Sequence, residues 1–197
     1  MLFISLIVAA LFGALTAARG LKSPLEGYTV VPMSWNAVNT TDGSEIVLYG
    51  TIQELYEQLE TLDDVKIGNG TNATSTATNE ETRSLTPRSK DNTICWVGGN
   101  GSVKNGWLQE GINYLKQHTQ GPCTAGRGPG NCARISCSFN TAIWLCNDDP
   151  EYEVSRRCPD IATYAEDIRE KCTFGLSIQG QEFDTDGFNV MVGRDWC

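Results

Sequence analysis

Apolar positions along this chain recur in several distinct patterns, each predicting a different element. Leu2 to Leu15 is almost wholly apolar. That run is shorter than the roughly 20 residues a membrane span needs, and it ends in the small residues Thr16, Ala17 and Ala18. It reads as a secretory signal over 1–18 with cleavage after Ala18, Gly20 being the next best site. Tyr28-Thr29-Val30-Val31 and Glu45-Ile46-Val47-Leu48-Tyr49 are short β-branched and apolar runs, with turn-forming residues between them, that predict two strands. Thr51 with Glu54 three residues on forms a capping box, and Ile52, Leu55, Tyr56, Leu59 and Leu62 then recur at helical spacing. The resulting ββα module over 19–66 has an apolar helix face and too few residues to enclose it. Its face is expected to pack on the C-terminal part. A pro-segment would look like this, and so would a permanent subdomain.

From 67 to 92 the chain is dominated by Gly, Asn, Thr, Ser and Glu, the composition of a solvated linker. Beyond it, 93–197 predicts a cysteine-rich domain. A strand is expected at Thr93 to Val97, then a Gly-rich turn, then a helix at about Asn105 to Gln117 with Trp107, Leu108, Ile112 and Leu115 on one face. Gly121 to Asn131 reads as an irregular loop. Ala133 to Ser138 and Thr141 to Asn147 read as a hairpin, with Asn140 in the left-handed conformation. A strand at Tyr152 to Arg156 precedes a helix from Pro159 to Lys171 that turns Ile161, Ala165 and Ile168 inward. Asp186-Gly187 joins two closing strands. The order β-α-β-β-β-α-β-β predicts an α+β fold, a disulfide-stapled α/β sandwich whose mainly antiparallel sheet carries both helices on one face.

Cysteine usage changes the picture from fold to compartment. All eight cysteines, Cys95, Cys123, Cys132, Cys137, Cys146, Cys158, Cys172 and Cys197, follow the linker. Without C-x2-C pairs, and behind a signal, they predict four disulfides rather than a metal site. Cys158 and Cys172 bracket a helix and stand too far apart to bridge. A hairpin turning about Phe139 would set Cys132 opposite Cys146 on the side of Arg134 and Trp144, with Ile135, Cys137, Ile143 and Leu145 toward the helices; a one-residue slip would undo this. Asn39, Asn69, Asn72 and Asn100 each begin an N-x-Ser/Thr acceptor. Leu85-Thr86-Pro87-Arg88 before Ser89 resembles a kexin-type processing site, with cleavage after Arg88, in a linker that serves equally well uncut.

Candidate chemistry is sparse. His118 is the only histidine and sits past a helix end, where capping is the commoner role. Asp148, Asp149, Glu151 and Glu153, and again Glu182, Asp184 and Asp186, offer the paired carboxylates a glycosidase needs, yet both groups fall on predicted turns. No cofactor motif is present. The net charge of −9 argues against nucleic acid or an anionic membrane as a general partner, and no later apolar run predicts an integral membrane segment. Arg134 and Trp144, if turned away from the helices, would form an aromatic-plus-Arg patch suited to an extracellular protein or glycan, or to cover by the N-terminal module.

Gly50-Thr51-Ile52-Gln53-Glu54-Leu55-Tyr56, Cys132-Ala133-Arg134-Ile135-Ser136-Cys137-Ser138, Ala142-Ile143-Trp144-Leu145-Cys146-Asn147-Asp148 and Gly180 to Val190 resemble a group of cysteine-rich secreted proteins of filamentous fungi. The group carries no catalytic residues to transfer. More remotely, the element order is similar to that of the α/β-sandwich fungal killer toxins and the effectors sharing their fold. The resemblance implies a secreted, extracellular protein that acts by binding, effector-like or toxin-like, at a host or competitor surface. An extracellular carbohydrate-active hydrolase and a structural wall or spore-surface protein are the alternatives.

Overall fold

The computed structural model describes residues 21–68, 90–118 and 121–197. The signal with Ala18, the sequons Asn69 and Asn72, and Arg88 lie outside the described residues. In chain order the elements are β1 (Thr29–Pro32), β2 (Ser34–Asn39), β3 (Glu45–Tyr49), α1 (Ile52–Thr61), β4 (Val65–Ile67), β5 (Lys90–Cys95), β6 (Val103–Lys104), α2 (Asn105–Gln117), β7 (Pro122–Ala125), β8 (Asn131–Ser138), β9 (Thr141–Asn147), β10 (Val154–Arg157), α3 (Cys158–Lys171), β11 (Thr173–Phe174), β12 (Ser177–Ile178), β13 (Gly180–Asp184) and β14 (Phe188–Arg194).

Six strands form the main sheet in the order β1-β8-β9-β14-β13-β5. Among the described residues, its β1–β8 pairing alone is parallel. Helices α2 and α3 cover one face, where Leu108, Ile112 and Leu115 of α2 and Ile161, Ala165 and Ile168 of α3 join Ile135, Ile143, Leu145, Val190 and Val192 of the sheet. The architecture is therefore the mixed α+β sandwich that the element order predicts. Helix and sheet approach closely at Gly111, where an added Cβ would lie 3.0 Å from Ser136 Oγ and 3.3 Å from Ile143 Cδ1. Trp107 departs from expectation and is partly exposed. The buried stripe runs through Leu108, Gly111, Ile112 and Leu115, and Trp107 lies about 90° of helix from its middle, at the stripe's margin.

The β8–β9 hairpin shows why register from sequence is fragile. Its loop holds two residues in the left-handed region, Phe139 at φ 48° and Asn140 at φ 57°, the signature of a tight hairpin turn. Near that turn Ser138 pairs Thr141 and Cys137 pairs Ala142, whereas beyond Ile135 the pairs are Arg134 with Trp144 and Cys132 with Cys146. A β-bulge at Ile135 absorbs the one-residue slip. Cys132 and Cys146 are thereby bridged across the strands. Cys137, expected toward the helices, instead belongs to the apolar cluster on the opposite face and bridges Cys197. The remaining disulfides join Cys95 to Cys172 and Cys123 to Cys158.

Three further differences follow from edges that sequence composition hides. Pro122 to Ala125, read as loop, pairs with β10, a placement open to Pro because it begins an edge strand. Ile67 ends β4, and Lys90 to Asn92 begin β5, so the strands take residues from both ends of the predicted linker. Ser34 to Asn39, read as turn-forming, alternates exposed Ser34 and Asn36 with buried Trp35 and Ala37 and is the central strand of a small sheet ordered β3-β2-β4.

The N-terminal module shares the core of the cysteine-rich part. Its first strand is an edge of the main sheet, and α1 places Ile52 and Leu55 in the core cluster that holds α2 and α3. The capping box is present, with Thr51 N–H donating to Glu54 Oε2 at 2.6 Å. Gln53 Nε2 donates to Ser136 Oγ at 2.8 Å, and the Cys137 N–H donates to Gln53 Oε1 at 3.1 Å. Leu55→Ala is expected to cost about 2–5 kcal/mol and to lower a single cooperative urea transition of the whole chain. An early transition confined to the module, with the main one unmoved, would show the two parts to be energetically separate.

Candidate interaction surface

The patch expected at Arg134 and Trp144 is not a surface. The two residues are cross-strand partners on the face opposite the helices, but Trp144 is 0% exposed. It packs in a cluster with Cys132, Cys137, Cys146 and Met191, against which Leu25, Tyr28, Val30 and Val97 lie. The arriving N-terminal segment has covered the aromatic ring. Arg134 Nη1 donates to Asp195 Oδ2 at 3.0 Å and to the Trp196 carbonyl at 2.9 Å, so its charge is spent holding the C-terminal tail across the same face.

The carboxylates are likewise committed to structure. Asp148 accepts from Tyr28 Oη at 2.9 Å and from Asn189 Nδ2 at 2.7 Å, and Gln181 Nε2 donates to Asn189 Oδ1 at 3.0 Å. Glu182 is buried and receives Thr93 Oγ1 and Lys171 Nζ, while Asp184 accepts from Tyr164 Oη. Asp186 pairs with Arg156 at 2.8 Å. Asp149 caps its turn by accepting from the Glu151 and Tyr152 N–H groups. Glu182 and Asp184 turn toward α3 and Asp148 lies on the other face, while the two acidic turns abut where the Asp148 N–H bonds to the Gly187 carbonyl beside Asp149. Glu153 lines a cleft of about 410 Å³ between the small sheets, shared with Glu45. His118 is a buried peg between module and domain, its Nδ1 3.0 Å from Tyr56 Oη and its ring 4.9 Å from that of Trp35. No group of three metal-ligating side chains occurs among the described residues.

Of the sequons within the described residues, Asn39 closes β2 and its Oδ1 accepts from the Thr41 N–H at 2.8 Å. The Nδ2 of Asn100, the atom a glycan would take, donates to the Ser23 carbonyl at 3.2 Å.

What the molecule does present is an aromatic and aliphatic knob at the β5 edge. β11 and β12 form a hairpin around Gly175 and Leu176, with Gly175 at φ 61°, the glycine-first pattern of a tight two-residue turn. Phe174 and Leu176 are 79% and 77% exposed, the highest values of any large apolar side chain among the described residues. Trp96, 48% exposed, meets Phe174 edge-on with ring centroids 6.4 Å apart and planes at 83°. Trp96 itself stands at φ 63°, a conformation that costs an L-residue roughly 1–2 kcal/mol, and its N–H donates to the Gln179 carbonyl at 2.9 Å. The knob has a rigid base, because Cys95 and Cys172 are bridged immediately before Trp96 and Thr173, and β12 pairs antiparallel with β6, with Ile178 fully buried. Beyond Lys104 the surface runs on to Trp107, which stacks on Phe139 at 6.0 Å and has Lys104 Nζ 4.6 Å from its ring centroid. A Thr-Phe-Gly-Leu-Ser run between a helix and a strand is the signal that could have found this hairpin: two apolar residues flank a glycine with no helical or alternating continuation.

Comparison with protein-family models, with curated proteins and with solved structures returns no match. No helix among the described residues is long and apolar enough to cross a membrane.

Burial first, then the Asp148 carboxylate beside it, push the Tyr28 hydroxyl up from 10.0 to about 12. Between those values the folded chain keeps a proton that the unfolded chain releases, so this contribution to stability is complete below about pH 10 and is lost as pH rises toward 12. Tyr28→Phe is expected to flatten that part of the alkaline decline in the urea midpoint. An unchanged slope would show that the Tyr28–Asp148 bond is not formed in solution.

Proposed function

We propose that this chain is a secreted protein that acts by binding at the surface of a host or competitor cell, effector-like or toxin-like, rather than by catalysis. The observation that carries the reading is the preorganised knob of Trp96, Phe174 and Leu176. Folded proteins seldom leave large apolar side chains clustered in water, and here a disulfide and a strained backbone hold them there. Rigid aromatic anchors lose little entropy on docking, which is what binding hot spots exploit. The signal sequence and the four disulfides suit an oxidising, extracellular compartment, and the resemblance to cysteine-rich secreted fungal proteins points the same way.

Phe174→Ser combined with Leu176→Ser is expected to weaken attachment of labelled protein to responsive cells by at least about tenfold. Its thermal midpoint should stay within a few degrees, since both side chains are solvated in the folded state. Undiminished attachment would overturn the knob as the binding element. The hydrolase alternative is carried best by Glu45 and Glu153, which line one cleft; a glycan-cleaving activity abolished by Glu153→Gln, with the fold intact, would replace the binding reading.

A further inference from the structure

Resting on that binding reading, we infer that the surface recognised by the knob is a phospholipid bilayer, entered by Phe174, Leu176 and Trp96 to the depth of the headgroup boundary. Shape is the first argument. The hairpin tip is convex, so a protein partner would need a matching concave pocket, whereas a bilayer yields to a protruding apolar tip of any outline.

Charge is the second argument, and it revises what net charge alone implies. Between Leu21 and Gly68 there are eight acidic and two basic side chains, a net charge of −6 out of −9 for the whole chain. That module joins the main sheet at its β1 edge, five strand spacings from the knob at the β5 edge, except for its first residues, which reach Gly99 and Asn100 and carry one base and one acid, Lys22 and Glu26. At about 4.8 Å per spacing this is roughly 24 Å, or about three Debye lengths at physiological ionic strength, so the acidic module is largely screened from a membrane at the knob. Beside the knob, Lys104 pairs in register with Ser177, and the Arg194 N–H bonds to the Gly101 carbonyl. Both side chains are exposed and neither forms an ion pair among the described residues. On the α3 side the neighbouring Glu166 and Asp167 are held in ion pairs by Lys116 and Lys90, so the apolar tip, with the unpaired cations Lys104 and Arg194 on its other side, fits lipid tails below phosphate headgroups.

The test is flotation of the full secreted chain with phosphatidylcholine vesicles and with phosphatidylcholine vesicles carrying phosphatidylserine, alongside attachment to responsive cells. The wild-type chain is expected to float with both and more strongly with the second. Phe174→Ser with Leu176→Ser should lower the partition about a hundredfold on both, while Lys104→Glu with Arg194→Glu should remove only the phosphatidylserine increment. Near-ultraviolet circular dichroism verifies that each variant keeps its packing. Absence of flotation, or flotation indifferent to the hairpin substitutions, overturns the lipid assignment. If cells still bind the wild-type chain and the hairpin variant alone fails, the binding reading stands and a protein receptor replaces the lipid. Sedimentation showing a dimer that the hairpin substitutions dissolve would assign the knob to a second copy of this chain. If neither cells nor vesicles are bound, both readings fall.

Discussion

The bridge between Cys95 and Cys172 ties the outermost strand of the main sheet to the end of the helix packed across it. It spans 77 residues, the widest separation of the four, and in the chain-entropy account a closure of that length disfavours the unfolded state by about 4.5 kcal/mol. Its position matters as much as its length. One residue past Cys95 the chain enters the left-handed region at Trp96, and one residue past Cys172 it enters the β11–β12 hairpin. Both departures leave from the same fixed point, so side chains that would otherwise fold back onto the core are held in water. Ile178, buried in the core, anchors the other side of the hairpin.

The opposite edge obeys a different constraint. No disulfide reaches the cysteine-free module, and its hold on the domain includes the parallel β1–β8 ladder, the Gln53 contacts to β8, the His118 ring beside Trp35 and Tyr56, and the apolar face of α1. Burial there is extensive enough that the module supplies part of the core instead of lying upon a finished one. The same segment, on its way in, roofs the face of the sheet that carries Trp144, with Tyr28 reaching Asp148 and Leu25 and Val30 lying on the bridged cysteines. A face that would have been open in the cysteine-rich part alone is thereby closed, and the available surface moves to the far edge. Acidic charge gathers at the module edge and the apolar knob at the other, a division that a single net charge conceals.

Local pattern carried most of the regular elements. The capping box at Thr51 and Glu54, the heptad-like stripe of α2, Pro159 in the first turn of α3 and the Asp186-Gly187 turn each contain their own structural reason within a few residues, and each is found where that reason places it. The element order then limits packing to one sheet with both helices on a face. The strand at Ser34 to Asn39 was equally legible from its alternation, but its asparagines read more strongly as turn formers.

Tertiary structure decided what local pattern cannot contain. The bulge at Ile135 exists because a two-residue turn and the Cys132–Cys146 bridge demand registers one residue apart, and that single insertion turns Cys137 to the other face. Whether Trp144 meets water depends on residues more than a hundred positions earlier in the chain. By itself the sequence determined the α+β class, the places of the main helices and hairpins, and the separation of an acidic cysteine-free module from a cysteine-rich domain, since these follow from spacing and composition. Exposure is a property of what a distant segment covers, so only the folded chain could hide the expected Arg134 and Trp144 patch and leave Trp96, Phe174 and Leu176 in the solvent.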